Sequence, residues 1–213
     1  MRRSIFLYSF ISCVSLTLAL SGCISVGTSP SPRFYMLHCV DKSKISQAFD
    51  TPVGTSIGLG PVNIPVYLDK PKIATEDSNN MLKFAEFDRW GEPLETALAR
   101  VINENLTVMM PQATIEVFPW NLFVSVRYQV IVDVIQMKAN LDKDLFLLVK
   151  WSIIDLKNKN VAFTKRSEFS QPIAPHNYTG LAEAVSNAAI LLSSQIAQGV
   201  SDVVGQQGKK IQE

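Results

Sequence analysis

Hydrophobic residues recur at helical spacing in two stretches of the chain. Within residues 92–110, the apolar positions trace one stripe with a period of about 3.6 residues: Leu94, Ala97, Leu98, Val101, Ile102, Leu106 and Met109. Pro93 suits the first turn of such a helix, and Pro111 ends it. A second apolar stripe runs through residues 178–200, and Asn177 before it is a suitable N-cap. The pattern therefore predicts two amphipathic helices.

Alternation of apolar and polar residues indicates strands between these helices. From Val126 to Val134 every second residue is Val or Tyr, which is typical of a strand with one covered face and one wetter face. The apolar run 145–154 and a further strand beginning at Val161 follow, each after a polar turn. Three consecutive strands joined by short turns predict an antiparallel meander.

Shorter strands are predicted around the first helix, at residues 33–40, 55–59 and 114–118. Gly58 and Gly60 would let another part of the chain approach the second of these strands closely. Residues 72–75 and 81–84 flank a polar turn, which predicts a hairpin. Together the elements predict an α+β fold: a largely antiparallel sheet with two amphipathic helices packed on one face.

The N-terminal segment has the three parts of a secretory signal, namely a basic start, an apolar stretch and small residues. It ends in Leu-Ser-Gly-Cys at residues 20–23, which resembles the bacterial lipobox. There the cysteine thiol receives a diacylglyceryl group and the signal is cut before it. A membrane-spanning helix is the alternative, but residues 5–20 are shorter than the roughly 20 residues that a span needs. We therefore expect a lipoprotein signal peptide at residues 1–22 and lipidation of Cys23.

The remaining chain divides into a tether, one domain and a tail. Residues 23–32 comprise the lipidated cysteine and a small, polar, Pro-containing tether that spans at most about 30 Å. Residues 33–200 are predicted to form a single α+β domain, and residues 201–213 a polar tail. Cys39 is the one cysteine left after lipidation, so we expect a buried thiol, or alternatively an intermolecular disulfide.

Charge and composition argue against several function classes. The chain has 20 basic and 19 acidic residues, a balance that argues against a nucleic-acid partner. Its two histidines, His38 and His176, lack metal-ligand neighbours at suitable spacing, and no phosphate-binding loop or nucleophile motif is present in the sequence. Five carboxylates that cluster in sequence are interpreted as solvated structural charges: Asp69, Glu86, Asp88, Glu92 and Glu95. The sequence thus predicts a non-enzyme that has no metal site and needs no cofactor beyond the lipid on Cys23.

Four stretches carry a resemblance to a known family. These are GLGPV at residues 58–62, IPVYLDKP at 64–71, FAEFDRWGEPL at 84–94 and VFPW at 117–120. With the lipobox, they resemble the paraquat-inducible protein C family, intermembrane transport lipoproteins that are akin to auxiliary lipoproteins of ABC-type transport systems. The resemblance covers about residues 20–200, with Lys70 where the family more often has Arg. Residues 67–71 are called the YLDKP segment below, and residues 86–93 the EFDRWGEP segment.

The resemblance implies a periplasm-facing lipoprotein of a Gram-negative bacterium. Such proteins partner with membrane-anchored MCE-domain proteins, whose rings and tunnels are thought to carry lipids between the two membranes. The implied role is a docking subunit at the outer membrane that supports envelope integrity. Ile24, where an Asp would favour retention in the inner membrane, favours the outer membrane. A symmetric partner ring could also impose a homo-oligomer.

The contact surface is predicted in the two motif segments and their flank. Its residues are Pro65, Tyr67, Leu68, Asp69, Pro71, Asp88, Arg89 and Trp90. A structural role is the alternative for part of this set: Trp90 would cover the N-terminal end of the first helix, and Asp88 would cap it. Trp120 and Trp151 are expected in the core.

Two other functions stay open from the sequence. One is a direct lipid carrier, with a cavity between helices and sheet where Ala182, Ala188, Ala189 and Ala197 leave room. The other is an outer-membrane assembly factor for a different exported polymer.

Replacing the predicted lipidation residue tests the membrane anchor. Cys23→Ala is expected to abolish metabolic labelling with a radioactive fatty acid and to stop normal signal removal, because both steps need the thiol. Labelling and the size of the mature protein on a gel are the measurements. Unchanged processing of the variant would show that the lipobox interpretation is wrong.

Overall fold

Helices and strands occupy most of the chain that the structure describes. The computed structural model describes residues 29–44, 48–77, 81–121 and 123–210, so the predicted signal peptide and Cys23 lie outside the described residues. Two α-helices, eight strands and a short 3-10 turn at Lys42–Lys44 lie within these ranges. The elements are β1 (Arg33–Tyr35), β2 (Thr55–Asn63), β3 (Lys72–Glu76), β4 (Leu82–Trp90), α1 (Leu94–Met109), β5 (Ala113–Val117), β6 (Tyr128–Ala139), β7 (Asp144–Asp155), β8 (Asn160–Pro172) and α2 (Tyr178–Lys210).

The strands form two sheets in the described part of the chain. The smaller sheet has the order β1-β4-β3, and the larger has the order β5-β2-β6-β7-β8. The predicted hairpin is the antiparallel pair β3–β4, and the predicted meander is the antiparallel run β6-β7-β8. The α+β class is therefore confirmed. The division into two sheets and the parallel pairs β1–β4, β2–β5 and β2–β6 were not predicted, because alternation along a strand does not identify its partners.

Both helices pack on one face of the larger sheet, as predicted. Helix α1 lies against β2 and β5, helix α2 against β7 and β8, and the two helices contact each other. The apolar stripe of α1 is buried, and it includes one polar residue, Asn105. Asn105 Oδ1 accepts a hydrogen bond from Val40 N at 2.7 Å, and its Nδ2 donates to Ser193 Oγ at 3.2 Å. This amide therefore ties the N-terminal segment to both helices.

The connection from β5 to β6 crosses over β2, because both strands are parallel neighbours of β2. Gly58 makes this crossing possible: a Cβ there would lie 2.6 Å from Cζ3 of Trp120. Gly60, with φ of +119°, similarly leaves room for Cβ of Phe118. The close approach predicted at both glycines is confirmed. Trp120 itself is half-buried against Gly58 rather than enclosed in the core.

Helix α2 begins where predicted and ends later. Asn177 Oδ1 accepts a hydrogen bond from Gly180 N at 3.0 Å, which confirms the N-cap. The helix continues past Val200 to Lys210, since Val203 and Val204 extend its buried stripe. Within the described residues, no helix combines the length and apolar character required to cross a bilayer.

Trp151 joins the meander to helix α2 in the core, where it was expected. The side chain is 1% exposed, and its Nε1 donates a hydrogen bond to Ser167 Oγ at 3.0 Å. Ser167 Oγ in turn donates to Gln195 Oε1 of α2 at 2.7 Å. The indole therefore has little freedom to move. A Cβ at Gly199 would lie 2.8 Å from Cη2 of this ring, so the helix approaches the sheet only because residue 199 has no side chain.

Two glycines of α2 provide a matched pair of substitutions. Gly199→Ala is expected to lower the free energy of unfolding, because crowding of the fixed indole costs about 1–3 kcal/mol and exceeds the gain of about 1 kcal/mol in helix propensity. Gly205→Ala is expected to raise it by up to about 1 kcal/mol, since nothing lies within 4 Å of a Cβ there. Urea unfolding measures both variants. Equal stabilisation by the two would contradict this account of the Trp151 contact.

Candidate functional site

The two motif segments lie side by side in the folded chain. Strand β3 begins directly after the YLDKP segment, and strand β4 contains the first part of the EFDRWGEP segment. Lys72 pairs with Arg89 in this antiparallel ladder, and Trp90 N donates a hydrogen bond to Pro71 O at 2.9 Å. The hairpin therefore brings Pro71 next to Trp90.

An open pocket of about 290 Å³, called the motif pocket below, forms where the two segments meet. The YLDKP segment contributes Asp69, Lys70 and Pro71, and the EFDRWGEP segment contributes residues 90–93. Asp69, Lys70 and Pro71 are exposed at its rim. Lys70, Gly91, Glu92 and Pro93 were not among the predicted contact residues. The signal for them was present, because they belong to the same two segments.

Three of the predicted contact residues are buried. Leu68 is 3% exposed, Asp88 is 4% exposed and Trp90 is 5% exposed, so their side chains pack within the fold rather than present a surface. Trp90 still lines the motif pocket. Pro65, Tyr67 and Arg89 are half-buried, and Asp69 and Pro71 are exposed. For the exposed and half-buried residues, the contact role stays a prediction.

Hydrogen bonds hold the turn before the motif pocket. Leu68 N donates to Pro65 O at 2.8 Å, and Asp69 N donates to Val66 O at 3.2 Å. The hydroxyl of Tyr67 donates to Met137 O at 3.1 Å and accepts from Met137 N at 3.2 Å. Because Met137 belongs to β6, these bonds tie the YLDKP segment to the larger sheet. The pocket rim is thus held in place by hydrogen bonds within the chain.

Asp88 fastens β1 to β4. Arg33 donates two hydrogen bonds to the carboxylate, from Nε to Oδ1 at 2.8 Å and from Nη2 to Oδ2 at 2.9 Å. The hydroxyl of Tyr35 donates to Oδ1 at 2.7 Å. The Arg33 hydrogen bonds lower the pKa of Asp88, although burial of the carboxylate opposes this shift. Burial is in turn the main cause of the raised pKa of Tyr35.

The expectation that Asp88 caps α1 is therefore wrong. Pro93 occupies the N-cap position of that helix and makes no side-chain capping hydrogen bond. The carboxylate is instead occupied by Arg33 and Tyr35, two residues that precede it by more than fifty positions. Sequence proximity to the helix was misleading, because the partners come from the N-terminal strand.

Arg100 of α1 neutralises Glu92 at the edge of the motif pocket. Its Nη2 donates to Glu92 Oε1 at 2.7 Å, and its Nε donates to the same oxygen at 3.0 Å. Nη2 also donates to Leu37 O at 3.0 Å, and Nη1 lies 3.6 Å from Glu104 Oε1. The hydrogen bonds to Glu92 raise the pKa of Arg100. This guanidinium therefore links the pocket, the N-terminal segment and α1.

The described residues contain no cluster of three or more His, Cys, Asp or Glu side chains that could hold a metal ion. Cys39 is half-buried and unpaired with another cysteine among those residues. A hydrogen bond with Glu104 is the main cause of its raised pKa.

Comparison with known proteins identifies the family. A family model described as the ABC-type transport auxiliary lipoprotein component matches residues 35–197. The chain belongs to this family. The match spans both motif segments, so the motif pocket is part of the family domain of an auxiliary lipoprotein for transport. The predicted resemblance to such auxiliary lipoproteins is confirmed.

Solved structures support the fold of this auxiliary lipoprotein. An uncharacterised protein is similar at a TM-score of 0.64 and 14% identity, covering 80% of this chain and 99% of its own. A Xanthomonas campestris protein assigned to DUF330 is similar at a TM-score of 0.67 and 11% identity, covering 84% of this chain and 99% of its own. At these identities the likeness concerns the fold alone. No curated protein sequence matches the chain.

Neutralising Asp88 tests the ion pair through its pH dependence. Because the folded-state pKa is lowered, the carboxylate's contribution is fully present above its unfolded pKa of about 3.9 and is lost as pH falls through the folded value. Asp88→Asn is therefore expected to unfold at a lower temperature than the wild type at pH 7, with a difference that shrinks between about pH 5 and pH 2. Calorimetric melting over this range is the measurement.

Asp142→Asn is the control for this experiment, because Asp142 lies in an exposed turn. This substitution is expected to change the melting temperature little at any pH. A stability difference for Asp88→Asn that is independent of pH would contradict the assignment of the ion pair.

Proposed function

We propose that this auxiliary lipoprotein docks an MCE-domain protein through the motif pocket, on the periplasmic side of the outer membrane, and thereby supports envelope integrity. The observation that carries the proposal is the convergence of the YLDKP and EFDRWGEP segments into one exposed pocket. The subunit acts by binding, with no catalytic step. A ring-shaped partner would offer equivalent sites to several copies, so the proposal includes a ring of these subunits.

The motif pocket has the physical character of a docking site. Its rim is held by turn hydrogen bonds and by the Tyr67 contact to β6, so little chain entropy is lost when a partner binds. Pro71 and Pro93 add rigid apolar surface around the edge of Trp90. Asp69 and Lys70 supply exposed charges of both signs that can select a complementary partner.

The position of the pocket suits a lipid-anchored subunit. Lipidation of Cys23 and a tether of residues 23–32 would keep the domain within about 30 Å of the membrane. The first strand after the tether, β1, is fastened to Asp88 by Arg33, and Trp90 follows two residues later. In this arrangement the anchor and the docking pocket are joined through one short stretch of β4.

Close packing of α2 favours docking over the direct lipid carrier. Ala188, Ala189 and Ala197 are fully buried, so these small side chains let the helix approach its neighbours. None of the three lines the motif pocket. We therefore propose that the lipid path lies in the partner. The assembly-factor alternative differs in its partner, so affinity purification of the partner distinguishes it from the docking proposal.

Affinity purification from gently solubilised envelopes tests the docking proposal. The full-length lipoprotein is expected to co-purify with an MCE-domain protein. Asp69→Lys is expected to reduce that recovery about tenfold, since reversing a rim charge weakens binding by about 1.4 kcal/mol or more. Quantitative mass spectrometry of the eluate is the measurement.

Asp50→Lys is the matched control, because Asp50 is an exposed carboxylate near the C-terminal end of α1, whereas the motif pocket lies at its N-terminal end. This variant is expected to recover the partner normally. Purification of the wild-type lipoprotein alone, or with the assembly machinery of another polymer, would contradict the proposal.

A further inference from the structure

A second and larger groove runs along α1, beyond the motif pocket. Its volume is about 400 Å³, and its walls are the end of β2, the end of β5 with the segment after it, and one face of α1. We call it the α1 groove. It is built from the GLGPV and VFPW stretches, neither of which contributes to the motif pocket. The docking function proposed above therefore leaves this groove unexplained.

The wall at the end of β5 is apolar, exposed and rigid. Val117 is 37% exposed and Phe118 is 48% exposed, although both are large hydrophobic residues. Phe118 N donates a hydrogen bond to Leu59 O at 2.8 Å, and its ring meets Trp120 edge to face at a centroid distance of 5.4 Å. Contact with Gly60 restrains its Cβ. An apolar surface held in this way is a preformed contact for another apolar group.

The α1 wall is polar and carries an unneutralised negative charge. Glu95, Ala99 and Asn103 are spaced four residues apart, so they form one stripe along the groove. Glu95 is exposed and makes no ion pair with a described residue, whereas Arg100 is engaged by Glu92 and Glu104. Ala99 is short and leaves space between its two polar neighbours.

Asn103 adds an unused acceptor to this wall. Its Oδ1 is shielded from solvent and accepts no hydrogen bond from a described residue. A buried acceptor without a donor is unfavourable. A rotation of the amide toward the groove would let an N–H group of a bound molecule relieve it. A ligand that complements the groove would therefore supply three features: an apolar side chain, a positive charge and a hydrogen-bond donor.

We propose that the α1 groove binds an extended segment of a partner protein, with an apolar side chain against Phe118 and a Lys or Arg facing Glu95. A peptide supplies all three missing features at the spacing of neighbouring residues. A lipid acyl chain supplies only the first, and it would desolvate Glu95 and Asn103 without pairing them. This site is separate from the motif pocket, so it does not depend on the identity of the partner proposed there.

Two synthetic peptides with the same apolar centre test the charge preference. The basic peptide is acetyl-Lys-Leu-Phe-Leu-Lys-amide, and the acidic one has Glu in place of each Lys. Titration calorimetry with the full mature lipoprotein in nanodiscs is expected to give at least tenfold tighter binding of the basic peptide, with a preference that declines as salt is raised. Equal affinities, or no binding of either peptide, would overturn the proposal.

Two variants of α1 locate the binding in the groove. Glu95→Lys is expected to reverse the order of the two peptides, and Ala99→Trp is expected to abolish binding by filling the space. Glu168→Lys on β8 is the matched control and is expected to leave both affinities unchanged. An unchanged preference in Glu95→Lys would overturn the proposal even if Ala99→Trp failed to fold.

Two other occupants are distinguished in the same experiments. A lipid groove would be identified if the wild type binds a fatty acid but neither peptide, and if Ala99→Trp no longer binds the fatty acid. A second copy would be identified as the occupant if the lipoprotein self-associates, if the peptides do not affect this self-association, and if Ala99→Trp abolishes it. Either result would contradict a peptide site.

Discussion

A nearly buried carboxylate decides how the N-terminal strand joins this fold. Strand β1 has three residues, and three ladder positions are too few to define a parallel register by themselves. Asp88 supplies the missing specificity, because it receives two hydrogen bonds from Arg33 and one from Tyr35. Burial of the charge is costly, and these three donors offset that cost. Strand β4 continues from Asp88 to Trp90, which lines the motif pocket. The contact between Asp88 and β1 therefore also positions this pocket.

The elements with strong local patterns could be predicted from the sequence. Both helices, the β3–β4 hairpin and the β6-β7-β8 meander follow from apolar periodicity and polar turns, which are properties of neighbouring residues. The two sheets, the parallel pairs and the partners of Asp88 depend on residues distant in the chain, so no local pattern reports them. For the same reason the burial of some predicted contact residues was missed. The motifs located the pocket, but burial of Leu68 and Trp90 depends on how the hairpin meets the rest of the fold.

Two recesses along α1 are the candidate binding sites of this auxiliary lipoprotein. The motif pocket lies at the start of the helix, and the α1 groove lies along its side. Arg100 connects them, since it lines the groove and neutralises Glu92 at the pocket. The Arg100–Glu92 ion pair therefore borders both recesses.

Site-specific photo-cross-linking in living cells tests the central claim, that the motif pocket docks an MCE-domain protein, most directly. A photoreactive amino acid at Lys70 would sit on the exposed rim of the pocket, and the same group at Asp50 would sit near the other end of α1. A cross-link to the MCE-domain protein is expected from position 70 and none from position 50. Cross-links from position 70 to lipid alone, or equal cross-linking from both positions, would contradict it.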